Sequence, residues 1–303
     1  MSSQITPVTD GQTAQVKDFV GAALRTSGVG KDGAQRIIKK GGILRRRLVP
    51  MFRELGGAEE NPYKDKQAKI GYHYPDGWAC PAILNQVQRL MAAFPGLDFS
   101  DAEEMAKKVV VPEDADGVMV IPKLSALARI FNIADPYGSG YGQLVEKVIA
   151  VIAAIRKTYN YRAGELGENY IRLNADAKLL IEELEAADGA DFLVMAINFG
   201  DWKTGLCYSP RNARWQALNI NQQLPLGSVH VGCMLIADPS RLVAYENLFI
   251  DCSADEYNWG ADGRWSYSVY FSFGGDELEF YARGADRAYG HCGSAVAFLG
   301  ESA

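Results

Sequence analysis

No stretch of this chain is apolar for long enough to cross a membrane. The best run, Val148 to Ile155, stops at Arg156, well short of the ~18 consecutive apolar residues that a spanning helix needs. Cysteine is scarce. Cys80, Cys207, Cys233, Cys252 and Cys292 are odd in number and widely spaced, with no CxxC pair. That excludes a disulfide framework or a zinc ribbon and leaves reduced, buried thiols. Histidine is rarer still. His73, His230 and His291 form no HExxH, and none stands four residues from another histidine or a cysteine, so no metal site and no cofactor are expected. The start, MSSQITPVTDGQTAQ, lacks the charged segment and apolar run of a secretory signal. A cytoplasmic location is expected, and a virion component released by lysis would read the same way. With 31 Gly and 12 Pro among 303 residues the chain is neither collagen-like nor low-complexity, and with 48% hydrophobic residues and a net charge of −6 it is not disordered. A globular protein remains, long enough for one large domain or two ordinary ones.

The charge that is present is unevenly spread. Residues 1–53 carry a net +7, which leaves −13 for the rest. Lys31, Arg36, Lys39, Lys40, Arg45, Arg46, Arg47 and Arg53 are interleaved with Ile37, Ile38, Ile43, Leu44, Leu48, Val49 and Phe52. That mixture suits a cationic helix pair broken at Gly41-Gly42. It reads either as a solvated face or arm docked on the acidic remainder, or as a site for an acidic partner or nucleic acid in residues 31–53.

Residues 54–189 read as mainly helical. Ile83, Val87, Leu90 and Met91 have helical spacing up to Pro95-Gly96. Ser100 and Glu103 match a capping box, and Asn174 is a cap for a helix carrying Leu180 and Ile181. Tyr141 to Tyr159 has a long apolar face, and Val118 to Pro122 is a strand candidate. After residue 190 the texture changes. Phe192 to Phe199 is strand-like, and Val229 to Ile236 suits a buried strand or helix. A helix is expected near 239–247. From Asp251 onward short aromatic runs alternate with turn signals such as Asp262-Gly263 and Gly274-Gly275, the pattern of an antiparallel meander.

Several motifs fail on inspection. Gly28-Val29-Gly30-Lys31 lacks the strand before it and the hydroxyl after Lys31 that a phosphate loop needs. Asp114-Ala115-Asp116-Gly117 and Asp262-Gly263 lack the remaining ligands of a calcium loop and read as turns. His291 and Cys292 adjoin, but neighbours on a strand point to opposite faces. His230 is the alternative base for a cysteine nucleophile.

The aromatic tail is the informative feature. Eleven aromatics lie between Tyr257 and Phe298, over twice the chain's average density. Phe271, Phe273 and Phe280 alternate as inward-facing residues do, so Tyr270, Ser272 and Tyr281 should face outward. The Gly-bounded segment from Tyr281 to Cys292 has too few aliphatic residues to form core. Tyr, Trp, Ser, Gly and Arg together make the chemistry of binding surfaces, where rigid aromatic rings give contact area at small entropic cost. A ligand face of Tyr267, Tyr270, Ser272, Tyr281, Arg283, Asp286, Arg287, Tyr289 and His291 is therefore expected. Asp251, Trp259, Gly263 and Gly293 are expected to be scaffold.

The tail also carries a resemblance. Asp251-Cys252, Asp255-Glu256-Tyr257, Gly260-Ala261-Asp262-Gly263, Phe271-Ser272-Phe273-Gly274-Gly275 and Gly293-Ser294-Ala295-Val296-Ala297-Phe298-Leu299 resemble the C-terminal end of variable proteins of diversity-generating retroelements. The resemblance spans roughly residues 190–303, at motif level only near the end. It implies a C-type lectin fold, often of the formylglycine-generating-enzyme-like subtype, that displays diversified positions. The calcium-lectin triplets EPN and WND are absent, so calcium-dependent sugar binding is not implied. Adenine-directed mutation of AAC or AAT codons does not yield Lys, Glu, Gln, Met or Trp, and Tyr281 to Cys292 contains none of these. Trp265 falls outside the permitted set and should be framework.

These readings lead to an α+β fold. A basic helical arm (1–53) and a mainly helical region (54–189) precede a C-type-lectin-like display domain with a small twisted antiparallel sheet (190–303). The expected function is non-catalytic binding of a protein or other macromolecular ligand by a sequence-diversified face. The alternatives are an enzyme of the formylglycine-generating or a related type using Cys233 or Cys292, and a phage or mobile-element structural protein whose basic arm contacts nucleic acid.

Overall fold

The computed structural model describes residues 8–39, 41–56, 61–201 and 203–299. The chain divides into two compact units, Met1–Leu55 and Gly56–Ala303.

The first unit contains α1 (Asp10–Thr26), α2 (Lys31–Lys39) and most of α3 (Gly41–Gly56). Thr9 and Gln12 cap α1 reciprocally: the Gln12 amide N–H donates to the Thr9 hydroxyl, and the Thr9 amide donates to Gln12 Oε1. The chain is not broken at Gly41-Gly42: both glycines lie in the first turn of α3, and Lys40, between the two helices, lies outside the described residues. Lys31 opens a helix that follows another helix, the wrong context for a phosphate loop. No residue of α1 is buried. Lys40 and the side chains of Lys39, Arg45, Arg46, Arg47, Arg53 and Ile43 lie outside the described residues, so the cationic stripe is placed only in part.

The second unit runs β1 (Gln67–Lys69), α4 (Ile83–Ala93), α5 (Ala102–Ala106), β2 (Gly117–Pro122), α6 (Leu124–Phe131), α7 (Tyr141–Ile155), β3 (Thr158–Asn160), β4 (Ile171–Leu173) and α8 (Ala175–Glu185). It continues with β5 (Phe192–Asn198), β6 (Leu206–Tyr208), α9 (Pro210–Asn219), β7 (Gln223–Pro225) and α10 (Ser228–Ala237). The last strands are β8 (Phe249–Asp251), β9 (Asp255–Tyr257), β10 (Tyr267–Gly274), β11 (Glu277–Gly284), β12 (Cys292–Ser294) and β13 (Val296–Phe298). The fold is α+β, with the three sheets collected in this unit. A division at 189/190 is not what the chain does. β2 pairs along its whole length with β5, β3 pairs with β11 and β4 with β9, so residues 54–189 and 190–303 are stitched into one body.

One sheet has the order β2-β5-β13-β7. The larger one runs β12-β8-β10-β11-β3, with β9 joining β10 and β4 joining β9. The β10–β11 hairpin turns on Gly275 and Asp276, whose φ angles of 56° and 61° are those of a two-residue type I′ turn. Between the sheets packs α10, against β2 on one side and β10 on the other, with α7 alongside it. Every residue of α10 from Ser228 to Ala237 is buried, which explains why the sequence there shows no helical stripe. A Cβ on Gly232 would stand 2.6 Å from Val148 and 3.7 Å from Phe271, so α10 lies close on both α7 and β10. Its N-terminus is capped from outside: the Ser228 amide donates to the Asp255 carboxylate at 2.8 Å, and Tyr141 donates to the same carboxylate at 2.6 Å.

Two expected helical features differ. No helix forms at 239–247, where the chain makes turns after Asp238 and the helix sits at 228–237 instead. The capping box at Ser100 does not form. Asp101 is the N-cap of α5 without a side-chain bond, and the Ser100 amide donates to Asp98 Oδ1 at 2.9 Å. Asn174 does cap α8, accepting from the amides of Asp176 and Ala177.

Candidate functional site

The two faces of the β10–β11 hairpin separate as the alternation predicts. Val269, Phe271, Leu278, Phe280 and Ala282 are buried on the core side with Ile250 of β8. On the outer face the register places Tyr270 opposite Tyr281, Ser272 opposite Glu279, Ser268 opposite Arg283, and Tyr270 beside Asp251.

Across this face runs a connected belt of rings. Tyr281 is 6.1 Å from Tyr270 between ring centroids, and Tyr270 stacks on Phe249 at 6.2 Å. Phe249 meets His291 at 5.2 Å, and His291 stacks on Tyr289 at 5.3 Å. In the other direction Tyr281 meets Tyr161 at 4.9 Å and Trp259 at 5.9 Å, and Trp259 meets Tyr267 at 5.3 Å. Tyr267, Tyr270 and Tyr289 therefore share one network. The Arg162 guanidinium lies 4.2 Å above the Trp259 ring and 5.0 Å above Tyr281, within cation–π range. Tyr161 is 45% exposed and Tyr159 51%, so the belt opens to solvent at that end.

Beneath the belt, Arg283 and Asp251 form a buried pair. Arg283 Nε donates to Asp251 Oδ1 at 2.8 Å, Nη2 donates to Oδ2, and Nη1 donates to the Arg287 carbonyl at 2.9 Å. Burial alone would push Arg283 down, but the Asp251 carboxylate more than reverses this and holds the guanidinium above its ordinary range. Burial raises the Asp251 carboxyl, and Arg283 opposes that rise. The Arg283 guanidinium also lies 4.9 Å over the Tyr289 ring, so the pair props up the belt from below.

The expected ligand residues thus divide. Tyr267, Tyr270, Tyr281, Tyr289 and His291 are half-buried members of the belt, and Arg287 is exposed. Asp286 is half-buried and accepts from Arg211 at 3.0 and 3.1 Å. Arg283 is not a surface residue, because β11 continues to Gly284 and carries it under the loop onto Asp251. Ser272 is 2% exposed, its hydroxyl bonded to Glu279 at 3.1 Å. Among the expected scaffold residues, Asp251 is fully buried and Gly263 takes a turn conformation with φ 83°. Gly293 packs against Gly200, where a Cβ would stand 2.7 Å from the Gly200 carbonyl oxygen. Trp259 is the correction. It is 39% exposed and lies within the belt, not beneath it.

Sequence reading missed Tyr159, Tyr161 and Arg162, which reach the belt because β3 pairs in parallel with β11. The Tyr-Asn-Tyr-Arg run at 159–162 has the same composition as the tail and was the available signal.

Cys207, Cys233, Cys252 and Cys292 are buried and Cys80 is half-buried, and burial raises the Cys233 thiol above its usual range. Burial pushes Cys80 and Cys207 up to about 12, and raises Cys252 and Cys292 well above their usual value. His230 is wholly buried in α10 and pushed down to about 4 by burial, and its ring nitrogens have no hydrogen-bond partner among the described residues. Burial lowers His291 too, and Arg283 adds to the effect. Among the described residues no cluster of His, Cys, Asp or Glu is placed to hold a metal ion, and no helix is long and apolar enough to cross a membrane.

Comparison with known proteins finds no matching family model, no matching curated protein and no matching solved structure.

Proposed function

We propose that this chain is a non-catalytic binding protein that engages a protein or other macromolecular ligand through the outer face of its large sheet. The observation that carries the reading is the aromatic belt from Tyr161 through Tyr281 and Tyr270 to Tyr289. Its rings are half-buried, held by cross-strand neighbours, and accompanied by Arg162 and Arg287. Rigid Tyr and Trp flanked by Arg are the groups that dominate binding hot spots. The belt rests on a framework fixed by the Arg283–Asp251 pair and the Gly293–Gly200 contact, an arrangement suited to a surface whose outer residues change while the fold stays. Diversification of Tyr267, Tyr281, Asp286, Arg287, Tyr289 and His291 by a retroelement of the kind the tail resembles, on a C-type-lectin-like scaffold, is the finer form of this proposal.

A displayed random-peptide library selected on the wild-type protein supplies ligands for the test. Replacing Tyr267, Tyr281, Arg287 and Tyr289 together by serine should abolish capture of the selected peptides while the protein stays folded, the exposed Arg287 costing within about 0.5 kcal/mol and each half-buried tyrosine about 1 kcal/mol. Selected peptides that bind the quadruple variant equally well, or a variant that unfolds, would refute the proposal. A reverse transcriptase gene and an adenine-rich near-copy of the tail's coding sequence beside the gene test the diversification separately.

One observation favours an enzyme of the formylglycine-generating type: the Cys207 thiol lies within hydrogen-bond reach of the Cys292 backbone, so two cysteines are neighbours. Both are 1% exposed, which supports binding over thiol chemistry. Rapid iodoacetamide labelling of either in the folded protein would reverse that preference.

A further inference from the structure

In the first unit a concentrated charge and a bare apolar stripe occupy the same stretch of chain. α1 is electrically balanced, with Asp10 and Asp18 against Lys17 and Arg25. The whole excess of +7 therefore falls in residues 31–53, where eight Lys and Arg stand against Asp32. The same stretch shows apolar side chains to solvent. Ile38 of α2 is 68% exposed and Leu55 of α3 is 77% exposed, and Leu44, Met51 and Phe52 are exposed between them. Leu44, Leu48, Met51, Phe52 and Leu55 recur at three- and four-residue intervals, so they share one face of α3. Single apolar residues on a surface are ordinary, whereas a continuous stripe marks a place of attachment.

The charge and the stripe together select the occupant. A second copy covers the stripe but sets eight cations against eight more, and like charges repel. Nucleic acid neutralises the cations, but its phosphate backbone offers Ile38, Phe52 and Leu55 nothing to pack on. An anionic lipid surface meets both needs at once. Its headgroups attract Lys and Arg, and the acyl chains just below them accept the apolar face of an amphipathic helix.

We propose that residues 31–56 bind the surface of an anionic lipid bilayer, α2 and α3 lying in the headgroup layer with their apolar residues turned to the acyl chains. α3 has 16 residues and four arginines, so it lies along the interface and does not cross it. No residue of the aromatic belt takes part, so membrane attachment and ligand capture are separable. Co-sedimentation of the full chain with vesicles tests this, using phosphatidylcholine alone and phosphatidylcholine with about one part in three of phosphatidylserine. The chain should pellet with the anionic vesicles and stay in solution with the neutral ones, and added salt should weaken the binding. Ile38→Ser with Leu55→Ser removes apolar contact without changing charge. Lys31→Gln with Arg36→Gln removes charge without changing the stripe. All four side chains are exposed, so both double variants stay folded, and each should weaken partitioning at least about tenfold. Equal pelleting with the two kinds of vesicle overturns the proposal, as does an apolar double variant that binds the anionic vesicles as well as wild type. Retention on duplex DNA without vesicle binding assigns the cations to nucleic acid, and a dimer in sedimentation that the apolar double variant abolishes assigns the stripe to a second copy; either result overturns the proposal.

Discussion

Replacing Arg283 by alanine separates a framework role from a ligand-contacting one. The guanidinium is 9% exposed and makes two bonds to a carboxylate that is fully buried. Removing it leaves Asp251 in the interior without the guanidinium that compensates its burial. Breaking a buried pair from one side costs about 3–5 kcal/mol, because the surviving charge keeps its desolvation penalty and loses its compensation. Loss of the bond to the Arg287 carbonyl and of the ring contact with Tyr289 adds to this. Removing both partners with Asp251→Leu and Arg283→Ala should recover much of the loss, since most of the penalty belongs to the orphaned charge and not to the missing attraction. Urea unfolding of wild type, both single variants and the double variant, read by near-ultraviolet circular dichroism, gives the full cycle. If Arg283→Ala costs under about 1 kcal/mol, the value expected of an exposed pair, the side chain is free to meet ligand and the framework reading of the pair is wrong.

Three further outcomes follow from particular contacts. Trp259→Ala should cost only about 1 kcal/mol, because the ring is partly exposed, while weakening capture of selected peptides; a loss of about 3–5 kcal/mol would mean the ring is core. Gly293→Ala forces a methyl to within 2.7 Å of the Gly200 carbonyl and should destabilise by at least about 1–3 kcal/mol; an unchanged unfolding midpoint would show that the two backbones can part. His230 shapes the acid response. Its pKa falls from 6.5 to about 4 on folding, so its contribution is complete above pH 6.5 and lost as pH falls to 4. Asp116 and Asp255 rise from 3.8 to about 6, so their contributions are complete below pH 3.8 and lost as pH rises through 6. His230→Leu should therefore gain roughly 3 kcal/mol relative to wild type between pH 7 and pH 4 in urea titrations, and a flat difference would contradict the burial argument.

What the sequence disclosed about the site follows the range of the interactions. The outward placement of Tyr270 and Tyr281 was legible because strand alternation is local, and the Gly274-Gly275-Asp276 turn fixes the hairpin register. Arg283 was misplaced because its partner, Asp251, lies on another strand, and nothing near Arg283 in sequence announces a buried carboxylate. Tyr161 joins the belt through parallel pairing across more than a hundred residues, which no local pattern reports. The helix expected near 239–247 failed for a different reason. A helix buried on all sides, as α10 is, has no polar face, so the amphipathic signal was absent where the helix lies.

The position of β13 has a consequence for how the protein is made. It lies between β5 and β7, and the segment that leads into it supplies β12, the partner of β8. Until residues 292–298 have emerged from the ribosome, β5 and β7 have no strand to join them and the core around α10 stays uncovered on that side. The strands before residue 292 therefore wait for partners through most of the synthesis of this region. Such late, non-local closure is slow and leaves sticky edges exposed. Protection by chaperones during translation, and protease sensitivity of chains arrested before residue 292, are the expected signs of that order of events.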